Sequence, residues 1–179
     1  MFIRPAFVLA ISVTLVGCGG LYADVAAEFP AKSDLPSVVL ESKTIVLTGT
    51  NRRGAQSLQK VFKVGLESSG IKLRPSFPLS IGFPPTDIPL DAISGCGMTC
   101  FGKDRRDVDL LLGDLGIEIG ISQAPEVVEW CWESGLPMIS GKEKREWMYS
   151  GGQLPSRDGY IQVGREEYER QTKRRCQGY

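Results

Sequence analysis

The stretch GAQSLQKVFKVGLESS (residues 54–69) decides how the first half of the chain is interpreted. Its apolar residues recur at spacings of three and four, which places them on one stripe of a helix: Ala55, Leu58, Val61, Phe62 and Leu66. Thr50 or Asn51 can cap the start of this helix, and Gly70 can end it. The pattern therefore predicts an amphipathic helix between residues 54 and 69.

Two apolar stretches flank this predicted helix. KTIVLTG (43–49) is rich in β-branched residues and ends at a glycine, which is typical of a buried strand. IKL (71–73) resumes an extended chain after the predicted helix. The first half of the chain is therefore predicted to form a strand, helix, strand unit.

The second half of the chain repeats this order. DVDLLLGDLGIEIGIS (107–122) predicts a second buried strand, because Ile117, Ile119 and Ile121 alternate with other residues. APEVVEWCWES (124–134) predicts a short helix with a proline near its start, and LPMIS (136–140) predicts another short strand.

The last segment is the most charged part of the chain. YIQVG (160–164) alternates like a strand, and residues 165–176 predict a helix with acidic residues first and basic residues last. Taken together, the elements predict an α+β or α/β fold, in which a small mixed sheet packs against two to three helices and disulfides pin the structure. We expect one globular domain over residues 37–179.

Length and composition agree with a single domain. The chain has 179 residues, of which 42% are hydrophobic and 23% are charged, so it can bury a core. Basic and acidic residues number 21 each, so the overall field is weak. We therefore expect no nucleic-acid partner.

The amino terminus has the organisation of an export signal. One basic side chain, Arg4, precedes an apolar run from Ala6 to Val16, and this run is too short to span a bilayer comfortably. LVGC (15–18) follows, and it resembles the lipobox of bacterial lipoproteins. The resemblance implies cleavage before Cys18, diacylglycerol on its sulfur and an acyl chain such as palmitate on its new amine. A signal cut elsewhere, for example after Ala23, and a buried first helix are the alternatives.

The same resemblance implies a location and a domain plan. Gly19 stands where an aspartate often retains lipoproteins at the inner membrane, which favours the outer membrane with the protein facing the periplasm. Residues 1–17 are then the signal peptide. Residues 18–36 have little periodicity and are predicted to be a lipidated tether, and the globular domain follows.

Four cysteines remain for an oxidising compartment: Cys96, Cys100, Cys131 and Cys176. Four cysteines allow three pairings. SGCGMTCFG (94–102) is predicted to be a glycine-flanked loop that holds two of these cysteines. We favour Cys96–Cys100 together with Cys131–Cys176, while a longer bond from this loop to Cys131 or Cys176 stays open. We expect no metal site, because the spacing is C-x3-C and the chain has no histidine. A redox-active pair is not expected either, because C-x-x-C is absent.

GTNRRG (49–54) offers a candidate contact for an anion or ligand, because Arg52 and Arg53 precede the predicted helix. The stretch is not a Walker loop, because Ala55 and Gln56 follow its second glycine. An exposed, solvated arginine pair is the simpler interpretation.

The proline-rich stretch PSFPLSIGFPPTDIPLD (75–91) predicts a stiff extended loop with one edge strand at 79–83. It carries too many apolar side chains to leave in water: Phe77, Leu79, Ile81, Phe83, Ile88 and Leu90. These side chains either cover the core or form a docking surface for a partner.

Acidic and aromatic residues offer two further candidates for chemistry. Asp107, Asp109, Asp114 and Glu118 could serve acid–base chemistry or bind a hard cation, but surface acids at strand ends are the simpler interpretation. The tryptophans are more typical of core packing than of a carbohydrate platform: Trp130, Trp132 and Trp147.

No catalytic residue is singled out by the sequence. The absence of histidine excludes Ser-His and Cys-His nucleophile systems, and neither G-x-S-x-G nor S-x-x-K occurs. We expect no cofactor. The sequence favours a membrane-anchored, non-catalytic accessory or assembly subunit of an envelope complex, such as secretion or conjugation machinery, with a protein partner. A module that binds a small ligand or glycan through the tryptophans and the GTNRRG loop is the alternative.

Overall fold

The computed structural model describes residues 20–35, 39–51, 53–101, 105–153 and 164–170. Several predicted features lie outside the described residues: the signal peptide, Cys18, Arg52, Cys176 and most of the predicted strand at 160–164. The side chain of Cys100 lies outside the description as well.

The part of the chain that the structure describes is dominated by β-strands. In chain order the elements are α1 (Leu21–Glu28), β1 (Val39–Gly49), β2 (Ala55–Glu67), β3 (Gly70–Pro75), β4 (Thr86–Pro89), β5 (Gly95–Phe101), β6 (Arg105–Leu112), β7 (Ile117–Ser122), α2 (Pro125–Glu133), β8 (Met138–Ile139) and α3 (Gly141–Tyr149). Single 3₁₀ turns occupy Leu79–Ile81 and Leu90–Ala92. A further helical segment covers residues 165–170.

All eight strands belong to one sheet with the order β4-β3-β2-β1-β7-β6-β5-β8. Two antiparallel meanders, β1 to β4 and β5 to β7, meet where β1 pairs with β7. Strand β8 is parallel to β5, so the sheet is mixed. The sheet curls into a half-barrel, and the helices are short.

The predicted fold class is therefore wrong. A small sheet with two to three packed helices was expected, whereas the sheet has eight strands and the stretch 54–69 contributes strand β2 instead of a helix. Strand β2 lies between β1 and β3 and pairs with both. These pairings provide hydrogen bonds to the backbone of β2 on both of its edges. The spacing of apolar residues in the sequence does not reveal such pairings.

A bulge explains why β2 imitates a helix in sequence. Lys43 pairs with Phe62 and Ile45 pairs with Leu58, so β2 advances four residues while β1 advances two. Lys60 lies in the bulge with φ 51°, and its N–H donates to Oγ1 of Thr44 at 3.0 Å. Because Lys60 is exposed in the bulge, the buried residues Leu58 and Phe62 on either side of it are four positions apart, as they would be on a helix.

The main core lies on one face of the sheet, against α1 and α2. All eight strands contribute side chains to it, among them Ile45, Leu47, Phe62, Val64, Leu73, Ile88, Leu110, Ile119 and Ile121. Leu111 alternates with Leu110 and therefore points to the other face. There it packs with Ile139 of β8 and Trp147 of α3. Helix α3 thus covers the face of the sheet that α1 and α2 do not.

Helix α1 lies within the stretch that was predicted to be a tether. It buries Leu21, Tyr22, Val25 and Ala26 in the main core, so packing begins at Leu21 and not near residue 37. The spacing of these four residues at i, i+1, i+4 and i+5 is the helical signal that the sequence contained.

The segment after α1 is fastened along the outer edge of β4. Pro30 forms a bridge with Thr86, and the N–H of Asp87 donates to the carbonyl of Phe29 at 3.1 Å. Lys72 donates to the carbonyl of Asp34 at 2.9 Å. The segment that was predicted to be a tether thus covers an edge strand that would otherwise expose unpaired backbone groups.

Several local predictions are confirmed. Strand β1 contains 43–49, β3 contains 71–73, and α2 begins at Pro125 and is followed by Gly135 at φ 68°. Three others are wrong. The stretch 107–122 forms two strands joined by a turn, 79–83 holds a 3₁₀ turn, and the glycine-flanked stretch around Cys96 is strand β5.

Candidate functional site

A disulfide joins Cys96 of β5 to Cys131 of α2. The favoured pairing of Cys96 with Cys100 and Cys131 with Cys176 is therefore wrong, and the longer bond from the glycine-flanked stretch is the one that forms. Cys96 lies on a strand, so Cys100 follows it along the strand, whereas α2 passes over β5 and brings Cys131 within a Cα–Cα distance of 6.4 Å. Both sulfurs are buried, and the bond ties α2 to the sheet.

The acidic residues predicted from sequence divide into different environments. Asp114 is exposed in the β6–β7 turn, while Asp107, Asp109 and Glu118 are buried. Asp107 accepts the N–H of Gln123 at 3.3 Å. The interpretation of all four as surface acids at strand ends therefore fits only Asp114.

Asp109, Glu118 and Lys144 form a carboxylate–lysine cluster beneath α3. The Lys144 ammonium lies 2.7 Å from Oδ2 of Asp109 and 2.9 Å from Oε1 of Glu118. Asp109 pairs with Gly120 across β6 and β7, and a Cβ at position 120 would lie 3.2 Å from Oδ1 of Asp109. The glycine therefore leaves room for the buried carboxylate.

The cluster changes the protonation of its members. Burial, together with the nearby charge of Asp109, raises the pKa of Glu118 to about 7, although Lys144 opposes this shift. Burial acts to lower the pKa of Lys144, but the two carboxylates outweigh it and raise that pKa. The lysine therefore stays charged near neutral pH, where Glu118 can take up a proton.

The geometry suits the cluster for holding α3 on the sheet. Lys144 reaches strands β6 and β7 at once from a single helix position. Sequence reasoning did not single out Lys144, although Ser140 and Glu143 form a capping box that marks the start of its helix. No group of three or more potential metal ligands occurs among the described residues.

Tyr22 is the central contact of α1 with the sheet. Its ring lies 5.3 Å from that of Phe62 and 5.5 Å from that of Phe83, and its hydroxyl donates to the carbonyl of Pro84 at 2.8 Å. Burial raises the pKa of Tyr22 to about 12, despite a hydrogen bond with Thr86 that acts the other way. The first turn of α1 is therefore joined directly to the β3–β4 loop.

Arg53, predicted as an anion contact, is engaged within the chain. Its guanidinium forms an ion pair with Asp24 of α1 and donates to the carbonyl of Leu115 at 2.9 Å. The residue connects α1 to the β1–β2 turn and the β6–β7 turn. Arg52, the other half of the predicted contact, lies outside the described residues.

The apolar side chains of the proline-rich stretch divide between core and solvent. Ile88 is buried, and Phe83 packs against Tyr22. Phe77 and Ile81 remain 84% and 65% exposed. Of the two alternatives that the sequence left open, covering the core therefore applies to Phe83 and Ile88. Phe77 and Ile81 remain available for a docking surface.

The tryptophans serve packing in the described structure. Trp147 of α3 is fully buried against the sheet, and the buried Trp130 donates its indole N–H to the carbonyl of Glu67 at 2.7 Å. Trp132 meets the ring of Tyr168 edge to face at 5.9 Å. Neither Trp130 nor Trp147 presents an open indole face to a glycan.

Comparison of the chain with known proteins identifies no relative. No family model matches the sequence, and neither a curated protein nor a solved structure matches it. Within the described residues, none of the helices has the length and apolar character needed to cross a membrane.

Proposed function

We propose that the protein is a lipid-anchored, non-catalytic subunit of a cell-envelope assembly. The observation that carries the proposal is the LVGC signature at 15–18, which stands at the end of an apolar export signal. Diacylglycerol and an acyl chain on Cys18 would hold the protein durably at a membrane.

Two features of the fold support this proposal. The Cys96–Cys131 disulfide suits a compartment outside the reducing cytosol. The buried charged cluster beneath α3 links a helix to the sheet, as expected of a scaffold. A protein of this kind acts through its position and its partners.

The first test concerns the anchor. The full-length protein, purified in detergent from its membrane, should begin at Cys18 and carry the mass of a diacylglycerol group, with or without a further acyl chain, by intact and peptide mass spectrometry. The Cys18→Ser variant should carry no acyl mass and should leave the membrane fraction. A mature chain that begins elsewhere, or lacks acyl groups, would overturn the anchored role.

The second test concerns the partner. Chemical cross-linking of intact envelopes, followed by purification of the lipidated protein, should recover one protein in constant stoichiometry. The Cys18→Ser variant should lose this partner, because it is no longer held at the membrane. Recovery of the lipidated protein as a single species after cross-linking would contradict the role as an assembly subunit.

A further inference from the structure

Only one residue, Gly19, separates Cys18 from Gly20, where the described domain begins. Gly20 precedes α1 directly, the N–H of Tyr22 donates to Oε1 of Gln56 at 3.1 Å, and Asp24 pairs with Arg53. An extended chain spans at most about 3.6 Å per residue, so Cys18 lies within roughly 7 Å of Gly20. Under the proposed lipidation, the part of the domain next to Gly20 must therefore lie against the bilayer.

Three connections share this end of the sheet, which we call the α1 end. Because β1 to β4 are antiparallel neighbours, the β1–β2 turn (50–54) and the β3–β4 loop (76–85) leave the sheet on the same side. The β6–β7 turn (113–116) joins them, since Gly49 pairs with Ile117 and the N–H of Thr50 donates to the carbonyl of Gly116 at 2.8 Å.

The β3–β4 loop is tied to α1 by direct contact. Tyr22 lies two residues beyond Gly20, and it contacts both Phe83 and Pro84 of the loop. The loop therefore lies beside the first turn of the helix that follows the lipidated cysteine. Its prolines restrict the backbone torsions of the loop: Pro78, Pro84 and Pro85.

The large apolar side chains that the described structure leaves exposed occur at the α1 end. Phe77 and Ile81 lie on the β3–β4 loop, at 84% and 65% exposure. Tyr149 is also 84% exposed, and it follows Met148, whose carbonyl accepts the N–H of Asn51 in the β1–β2 turn at 3.4 Å. Such side chains are unfavourable in water but are typical of residues that enter the boundary between lipid headgroups and acyl chains.

We infer that the α1 end is a membrane-contacting surface, in which Phe77 and Ile81 of the β3–β4 loop insert into the phospholipid interface beside the Cys18 lipid. The inference rests on the proposed lipidation. The lipid anchor and the apolar loop then act together to hold the domain in one orientation on the bilayer, with the β2–β3 turn (68–69) directed away from it.

Site-specific photo-cross-linking tests the inference in the full-length lipidated protein. p-Benzoylphenylalanine is placed at position 77 or 81, and the envelopes are irradiated. The matched control carries the same photoreactive residue at Ser68, which is exposed at the opposite end of β2. Circular dichroism and the acyl mass of each variant verify that it folds and is lipidated.

The expected result is phospholipid adducts at positions 77 and 81, detected by mass spectrometry, and few or none at position 68. Equal lipid adducts at all three positions, or adducts of positions 77 and 81 with a protein instead of lipid, would overturn the inference while leaving the anchor in place. Loss of the acyl mass on Cys18 would instead be a failure of the proposed lipidation, and the two outcomes are read from the same spectra.

Discussion

Lys144 of α3 lies 2.7 Å from the Asp109 carboxylate of β6, on the face of the sheet opposite the main core. The same ammonium lies 2.9 Å from Glu118 of β7. A single lysine side chain thus links a short helix to two central strands. If the lysine were removed, the two carboxylates would remain buried without their counter-charge.

Replacement of this lysine should destabilise the fold. Lys144→Met removes the counter-charge of two buried carboxylates, and we expect a loss of about 2–4 kcal/mol in the free energy of unfolding. Urea denaturation at neutral pH measures it. The matched control is Lys142→Met on the same helix, because Lys142 is 77% exposed and pairs with Glu146 only at 3.8 Å. The control should change stability by less than about 0.5 kcal/mol. Equal effects of the two substitutions would contradict the role of the cluster.

Stability should depend on pH through Glu118. Its pKa rises from 4.5 to about 7 on folding, so between these values the native state holds a proton that the unfolded chain has released. The free energy of unfolding should therefore fall as pH rises across this window and level off above pH 7. One pKa unit corresponds to about 1.4 kcal/mol, so the fall attributable to Glu118 is on the order of 3 kcal/mol.

Urea denaturation at several pH values checks this dependence against two variants. Glu118→Gln cannot titrate, so its stability should vary less between pH 5 and pH 8 than that of the unmodified protein. Asp114→Asn, at an exposed carboxylate, should retain the dependence of the unmodified protein. Parallel curves for the unmodified protein and Glu118→Gln would show that Glu118 has no raised pKa.

The disulfide should contribute substantially to stability. Cys96 and Cys131 are 35 residues apart, and closing a loop of this size restricts the unfolded chain by roughly 3–4 kcal/mol in the loop-entropy model. The double variant Cys96→Ala with Cys131→Ala should lose about that much in denaturant unfolding. Non-reducing peptide mapping of the unmodified protein should give a linked peptide that contains both residues, and Cys100→Ser should leave this peptide unchanged. A peptide that links Cys96 to Cys100 would contradict the structure.

Helix α1 should behave as part of the core. Val25 is fully buried, so Val25→Ala should lower the free energy of unfolding by about 1–3 kcal/mol. Glu28→Ala, on the exposed side of the same helix, should have little effect. Thermal unfolding of the two variants measures the difference. If neither substitution changed stability, the segment would be a solvated tether, as the sequence had indicated.

The elements that could be predicted from sequence are those whose signals lie close together in the chain. Strands β1 and β3 were recognised from short β-branched or apolar runs, and α2 from Pro125 and Gly135 at its two ends. For the candidate site, Asp109 and Glu118 are recognised from sequence as candidates for acid–base chemistry, but Lys144 is not associated with them, because it lies 26 positions after Glu118 in the chain.

The remaining features depend on contacts between distant residues. Strand β2 has helical spacing because its bulge at Lys60 fits the register of β1, and that register exists only once the two strands pair. Cys96 pairs with Cys131 because α2 passes over β5. The segment predicted to be a tether contains a packed helix, whose Tyr22 contacts the rings of Phe62 and Phe83. Neighbouring residues thus suffice to predict several local elements and to suggest an export signal. Strand pairing, the disulfide and the buried charged cluster instead depend on the burial of residues that only the whole sheet brings together.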